Sequence, residues 1–174
     1  MEMNMMKKLD KKAFTLVEML ILVMILSIIA VSALPMIGSA STMQIKAAAN
    51  KIAADLEYAK SMAISRQKKY SIFFDIDNES YQILDDSGAV IKDPMRASKD
   101  FVVEFKKDSR ISQVNILSVS FDSAVVITFD YLGSPYSGMS SNSLIDGSSG
   151  ITLKAGDTQM EILVEPITGY INIR

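Results

Sequence analysis

KKLDKKAFTLVEMLILVMILSIIAVSALPMI, residues 7–37, is the stretch that decides how this chain is read. Lys7, Lys8, Lys11 and Lys12 come first, and then Phe14 to Ile37 run for 24 residues with a single charge, Glu18. As a helix, 24 residues rise about 36 Å, enough to cross a hydrocarbon core of about 30 Å. Fourteen of them are Leu, Ile, Val or Phe. Together these favour insertion by on the order of 6 kcal/mol, and one carboxyl near the end of the span, costing about 3 kcal/mol at most, does not reverse that. The lysines predict a cytoplasmic N-terminus, with whatever follows Ile37 on the outer side of an inner, cytoplasmic membrane.

Three readings fit a basic leader followed by such a run. A secretory signal cut after Gly38-Ser39-Ala40 has small residues in the required places, but its apolar region would be far longer than usual. An uncleaved anchor explains the lysines and the length and leaves Glu18 accidental. The third reading rests on order: basic residues, then Ala13-Phe14-Thr15-Leu16-Val17-Glu18, then unbroken apolar sequence.

Lys12-Ala13-Phe14-Thr15-Leu16-Val17-Glu18-Met19 resembles the prepilin cleavage motif of type IV pilins and type II secretion pseudopilins. That resemblance implies a prepilin peptidase cutting between Ala13 and Phe14 and methylating the new amino terminus of Phe14. The apolar helix would stay as anchor and assembly element. Ala13 stands where the family usually has glycine. Glu18 has a physical rationale beside the resemblance: a lone carboxylate in an apolar helix needs a partner, and the amine freed at Phe14 of a neighbouring subunit supplies one. Such a pair forms only in one register, so it would align subunits as well as hold them. Pro35 lies where similar pilins often carry a proline. It removes a helical hydrogen bond and disfavours helix at Leu34, so a kink is expected, or the end of the anchor with Gly38 close behind.

The 174 residues suit one anchor and one modest domain. There is no Cys and no His, which excludes disulfides, thiolate nucleophiles, imidazole bases and the common zinc ligand sets. Residues 38–174 hold 14 basic and 17 acidic side chains, a formal charge of −3 that does not attract polyanions as a whole.

After Thr42, Ile45, Ala49, Ile52, Leu56, Ala59 and Ala63 recur at helical spacing and predict an amphipathic helix with a narrow apolar face. Beyond Gln67 the period falls to two. Strands are expected at Tyr70–Asp75, Ser80–Leu84, Phe101–Phe105, Val114–Val119, Val125–Asp130, Ile151–Lys154, Met160–Glu165 and Tyr170–Ile173. Turn residues at Asp77-Asn78-Glu79, Asp85 to Gly88, Gly156-Asp157 and Thr168-Gly169 make the sheets antiparallel. Residues 133–150, rich in Ser, Gly and Asn, read as one long surface loop and a candidate contact surface. The chain thus divides into a basic leader 1–13, a transmembrane and assembly helix 14–37, an amphipathic helix 38–66 and a β-rich head 67–174. The class is α+β, one long N-terminal helix packed on a C-terminal antiparallel sheet or sandwich.

That layout resembles the pilin-like family named for GspH and FimT. Phe129 to Pro135, Gly150-Ile151-Thr152-Leu153 and Glu165-Pro166-Ile167-Thr168-Gly169-Tyr170-Ile171 look like its closing strands and terminal hairpin. The resemblance implies a minor pilin or pseudopilin of a type IV pilus or type II secretion filament, with other pilin subunits as partners, no enzymatic activity and no cofactor. A DNA-uptake minor pilin is the alternative. DNA is an unfavoured partner, because the hairpin keeps only Arg174 and carries Tyr170 directly after its glycine. Arg66, Lys68, Lys69 and Lys106, Lys107, Arg110 form two short basic clusters, commonly solvated faces. Asp75 to Glu79 lacks the glycine and distal glutamate of a calcium loop, and Ser65-x-x-Lys68 lacks the companion motifs of acyl enzymes.

Overall fold

The computed structural model describes residues 14–139, 145, 147 and 149–174, with backbone alone for 31–39. The leader, including Ala13, lies outside the described residues. Two compact units divide the chain, Met1–Ile37 and Gly38–Arg174.

Helix α1 runs Leu16–Arg66. It starts where Thr15, just before the first helical residue, accepts the backbone N–H of Glu18 on its Oγ1 at 3.2 Å. Thr15 therefore caps the helix, with Glu18 at N3 and with Phe14 and Met19 at the flanking positions of a hydrophobic staple. The helix ends in a turn left-handed at Gln67, φ +53°, with the Lys68 N–H donating to the Ala63 carbonyl at 3.2 Å. Helical backbone continues through Pro35 and Gly38, so the helix does not end there. In the first unit every described side chain of 14–30 is exposed. Among the described residues no helix is long and apolar enough to cross a membrane. The helical residues of that unit with described side chains, 16–30, cover about 22 Å, short of a bilayer core.

The second unit is held by packing around the rest of α1. Ile45, Ala48, Ala49, Ile52, Leu56, Ala59 and Ala63 are all buried. Four of these seven are alanines, whose small side chains let sheet residues approach the helix backbone. Strands follow in the order β1 (Tyr70–Asp75), β2 (Ser80–Leu84), β3 (Lys92–Asp93), β4 (Arg96–Asp100), β5 (Val102–Glu104), β6 (Asn115–Ser120), β7 (Val126–Phe129), β8 (Pro135–Ser137), β9 (Gly150–Ala155), β10 (Thr158–Val164) and β11 (Ile171–Ile173). All the pairings are antiparallel. One sheet runs β5-β2-β1-β7-β8, a second β11-β10-β9-β6, and β3-β4 is a separate hairpin. Inward residues of both sheets, Ile72, Phe74, Ile127 and Phe129 from the first and Ile151, Leu153 and Ile162 from the second, share one core with the helix stripe.

Polar groups tie the layers together. The Tyr81 hydroxyl on β2 donates to Asp55 of the helix, and Lys51 pairs with the same carboxylate at 3.4 Å. Glu79, in the β1–β2 turn, accepts the Ile116 N–H on its carboxylate at 2.6 Å and the Phe105 N–H on its carbonyl at 2.9 Å, so one residue links the two sheets. Buried Ser71 and Thr128 share a 2.7 Å hydrogen bond, and Thr128 donates to the Gly138 carbonyl.

Three expectations are corrected. Only Val102–Glu104 of 101–105 is strand, because Phe105 turns inward to begin a 3-10 turn, Phe105–Lys107. The β3–β4 hairpin was not foreseen, since its residues are charged and exposed and carry no period-two signal. Nor is 133–150 a single surface loop. Pro135–Ser137 pairs with β7 as a sheet edge, where proline is tolerated, and Ile145 is buried in the core.

Candidate assembly surfaces

Glu18 sits in the first turn of α1, where a carboxylate complements the positive end of the helix dipole. Around it Phe14, Leu16, Val17, Met19, Leu20 and Ile21 are each at least half exposed. This turn is apolar on every side except at Glu18, so in water it lacks the partner that its composition demands. Pro35 falls within the helix, and Ala13 precedes the described residues. Phe14 and Glu18 are therefore the two predicted site residues that the structure places together at the start of α1, one just before it and one in its first turn.

Three of the six cations in the two basic clusters are paired with acids of the head. Lys68 pairs with Asp86 at 3.2 Å, Lys107 with Glu104 at 2.7 Å, and Arg110 with Asp108 at 2.7 Å. Lys106 donates to Asn115. The Arg110 hydrogen bonds hold the Asp108 carboxyl at about 2, well below its ordinary range. A shallow recess of about 60 Å³ beside Phe73, Tyr81 and Val102 is far below the 300 Å³ or so at which small-molecule sites begin.

A further exposed surface is formed by two turns that sequence periodicity did not single out. The 130–134 turn is closed by Asp130, which accepts the N–H groups of Leu132 and Ser134 on Oδ1. The 165–170 turn is closed between Glu165 and Tyr170. Gly133 and Gly169 bring the turns together. A Cβ on Gly169 would come within 2.8 Å of the Gly133 carbonyl oxygen, and one on Gly133 within 3.0 Å of Ile64. Lys60 seals the junction by donating to the Gly169 carbonyl at 3.0 Å. The available sequence signal was apolar residues placed inside turns rather than strands: Tyr131, Leu132 and Ile167.

Residues 48–160, most of the second unit, match the family of type II transport protein GspH. The chain belongs to the GspH family. Residues 8–34 match the prokaryotic N-terminal methylation motif, so residues 8–13 of the basic leader, Phe14 and Glu18 fall inside one recognised segment. The fold of this GspH-family chain resembles the minor pseudopilin EpsH from the type 2 secretion system of Vibrio cholerae. The TM-score is 0.52 at 12% identity, over 74% of this chain and 94% of that one. It also resembles the type IV minor pilin FimU of Pseudomonas aeruginosa, with a TM-score of 0.49 at 15% identity, over 74% and 87%. No curated protein sequence matches the chain. The helix on antiparallel sheets is thus a pilin-like α+β fold.

Proposed function

We propose that this GspH-family chain is a minor pilin or pseudopilin, a structural subunit of a type II secretion or type IV pilus filament. The observation that carries the proposal is the coincidence of the methylation motif with a capped helix start, followed by apolar side chains that are exposed among the described residues. A prepilin peptidase removes residues 1–13 and methylates Phe14. Residues 14–37 hold the precursor in the cytoplasmic membrane, with the head outside. In the filament the Phe14 amine of one subunit meets Glu18 of the next, each relieving the other's desolvation. Pro35 supplies a bend where the subunit leaves the bilayer. No catalytic step is assigned to any residue.

N-terminal sequencing and intact mass of the protein from membranes test the processing. The expected chain begins at Phe14 and carries one added methyl group. A start after Ala40, or an intact leader beside an active peptidase, refutes the proposal. Glu18→Ala should leave membrane insertion intact and abolish incorporation into filaments; normal incorporation would remove the role given to Glu18. The DNA-uptake alternative is not favoured, because Lys68, one of its four candidate contacts with Arg66, Lys69 and Arg174, is already paired with Asp86.

A further inference from the structure

Ile167 combines two features that rarely meet. Its φ is +66°, in the left-handed region, and the Thr168 N–H donates to the Pro166 carbonyl at 2.6 Å across it. This is the γ-turn of positive φ, a rare and strained conformation, and a β-branched residue is among the worst suited to it. Nor does the core need its side chain, which is 69% exposed. A strained apolar residue held out into solvent is not explained by the stability of this unit.

Its surroundings share that character. Tyr131, Leu132 and Tyr170 are more than half exposed on the same two turns, and Ile64 is exposed on the helix that Gly133 touches. At the rim lie Arg66 and Lys69, exposed and in no ion pair among the described residues, and Lys60, held at the Gly169 carbonyl. Glu165 is an exposed acid on the second turn, while Asp130 is buried beneath the first. The rim is therefore basic on a head whose formal charge is negative. Ile64 lies 26 residues, about 39 Å of helix, beyond Gly38, so the patch is at the C-terminal end of the head's helix.

We infer that the 130–134 and 165–170 turns form a docking surface for a different pilin-like subunit of the same filament, one that presents an apolar face bordered by carboxylates, with Ile167 and Leu132 as anchors. This rests on the filament reading above. Charge complementarity selects that partner, since Arg66 and Lys69 have no ion-pair partner among the described residues and an acidic border would supply one. The strain at Ile167 is kept because its side chain is used between subunits.

The test uses the full chain in cells that assemble the filament, with photoreactive benzoylphenylalanine at position 132 and, as control, at the more exposed position 95. The expected adduct joins position 132 to another pilin-like chain, at about five-fold or greater yield over position 95. Its cross-linked peptide should lie on an apolar face with acidic neighbours. Ile167→Asn should lower that yield about five-fold, as should Arg66→Glu with Lys69→Glu. The same Ile167→Asn chain, purified in detergent, should melt at or a few degrees above the parent, because asparagine tolerates positive φ. Loss of adduct together with a lower Tm would make Ile167 merely structural and overturn the inference. So would an adduct with lipid alone, with a second copy of this chain, or with nothing while the chain still enters filaments. Failure of the unaltered chain to be processed or incorporated would instead remove the filament reading beneath it.

Discussion

Replacing Tyr81 with phenylalanine isolates the polar tie between helix and sheet. The ring keeps its packing, tilted against Phe74 at 5.5 Å and edge-on to Phe105 at 6.2 Å, so the hydroxyl is what the change removes. That hydroxyl donates to the Asp55 carboxylate, and a hydrogen bond to a charged acceptor contributes about 1.5–3 kcal/mol. Asp55 keeps Lys51 at 3.4 Å and some contact with water, which places the expected loss near the middle, about 2 kcal/mol. For a unit of this size that is a fall in Tm of roughly 6–10 °C. Denaturant unfolding of Tyr81→Phe, Asp55→Ala and the double variant should give a coupling energy of at least about 1 kcal/mol. There is also a signature in pH. Burial first, and then the Asp55 charge, push the Tyr81 phenol well above its ordinary value. The unfolded chain therefore loses this proton first. The contribution is complete below about pH 10 and declines as pH rises beyond it. Tyr81→Phe should remove that alkaline decline. A loss under about 0.5 kcal/mol, or strictly additive variants, would refute the account of this tie.

Gly150→Ala should destabilise the head by about 2 kcal/mol or more in chemical denaturation, because the added Cβ would lie 2.4 Å from the Ile162 carbonyl oxygen, which is backbone and cannot swing aside. Asp108, held at about 2 chiefly by the Arg110 hydrogen bonds, should titrate nearer its ordinary value in Arg110→Gln, as read by NMR of its carboxyl. Its stabilisation is present above the unfolded pKa near 4 and is lost as pH falls through about 2, so Arg110→Gln should lower stability at and above about pH 4, with the difference from the parent vanishing as pH falls from about 4 towards about 2.

Where burial follows a repeating period, the fold could be read in advance. The stripe from Ile45 to Ala63 repeats at helical spacing and is buried, and Tyr70–Asp75 and Ser80–Leu84 alternate and form β1 and β2 with those bounds. Where structure is fixed by pairing rather than by side-chain pattern, the sequence was silent. Strand β4, Arg-Ala-Ser-Lys-Asp, is exposed along its whole length and owes its form to β3, and β8 is three residues held by β7. The candidate site divides in the same way. Phe14 and Glu18 stand out because one acid interrupts a long apolar run. The patch around Ile167 does not, because its members lie far apart in sequence and meet through two buried glycines, Gly133 and Gly169.

The alanine-rich stripe has a mechanical consequence. Residues 45–63 occupy about 27 Å of a helix that is continuous with the segment beginning at Leu16. Tension applied to the head at the N-terminal end of this stretch acts along the axis of that helix. It loads the whole row from Ile45 to Ala63 in shear, with every contact sharing the pull, where a peeling geometry would break them one at a time. A head pulled by the start of its own helix would thus receive the force where it resists best.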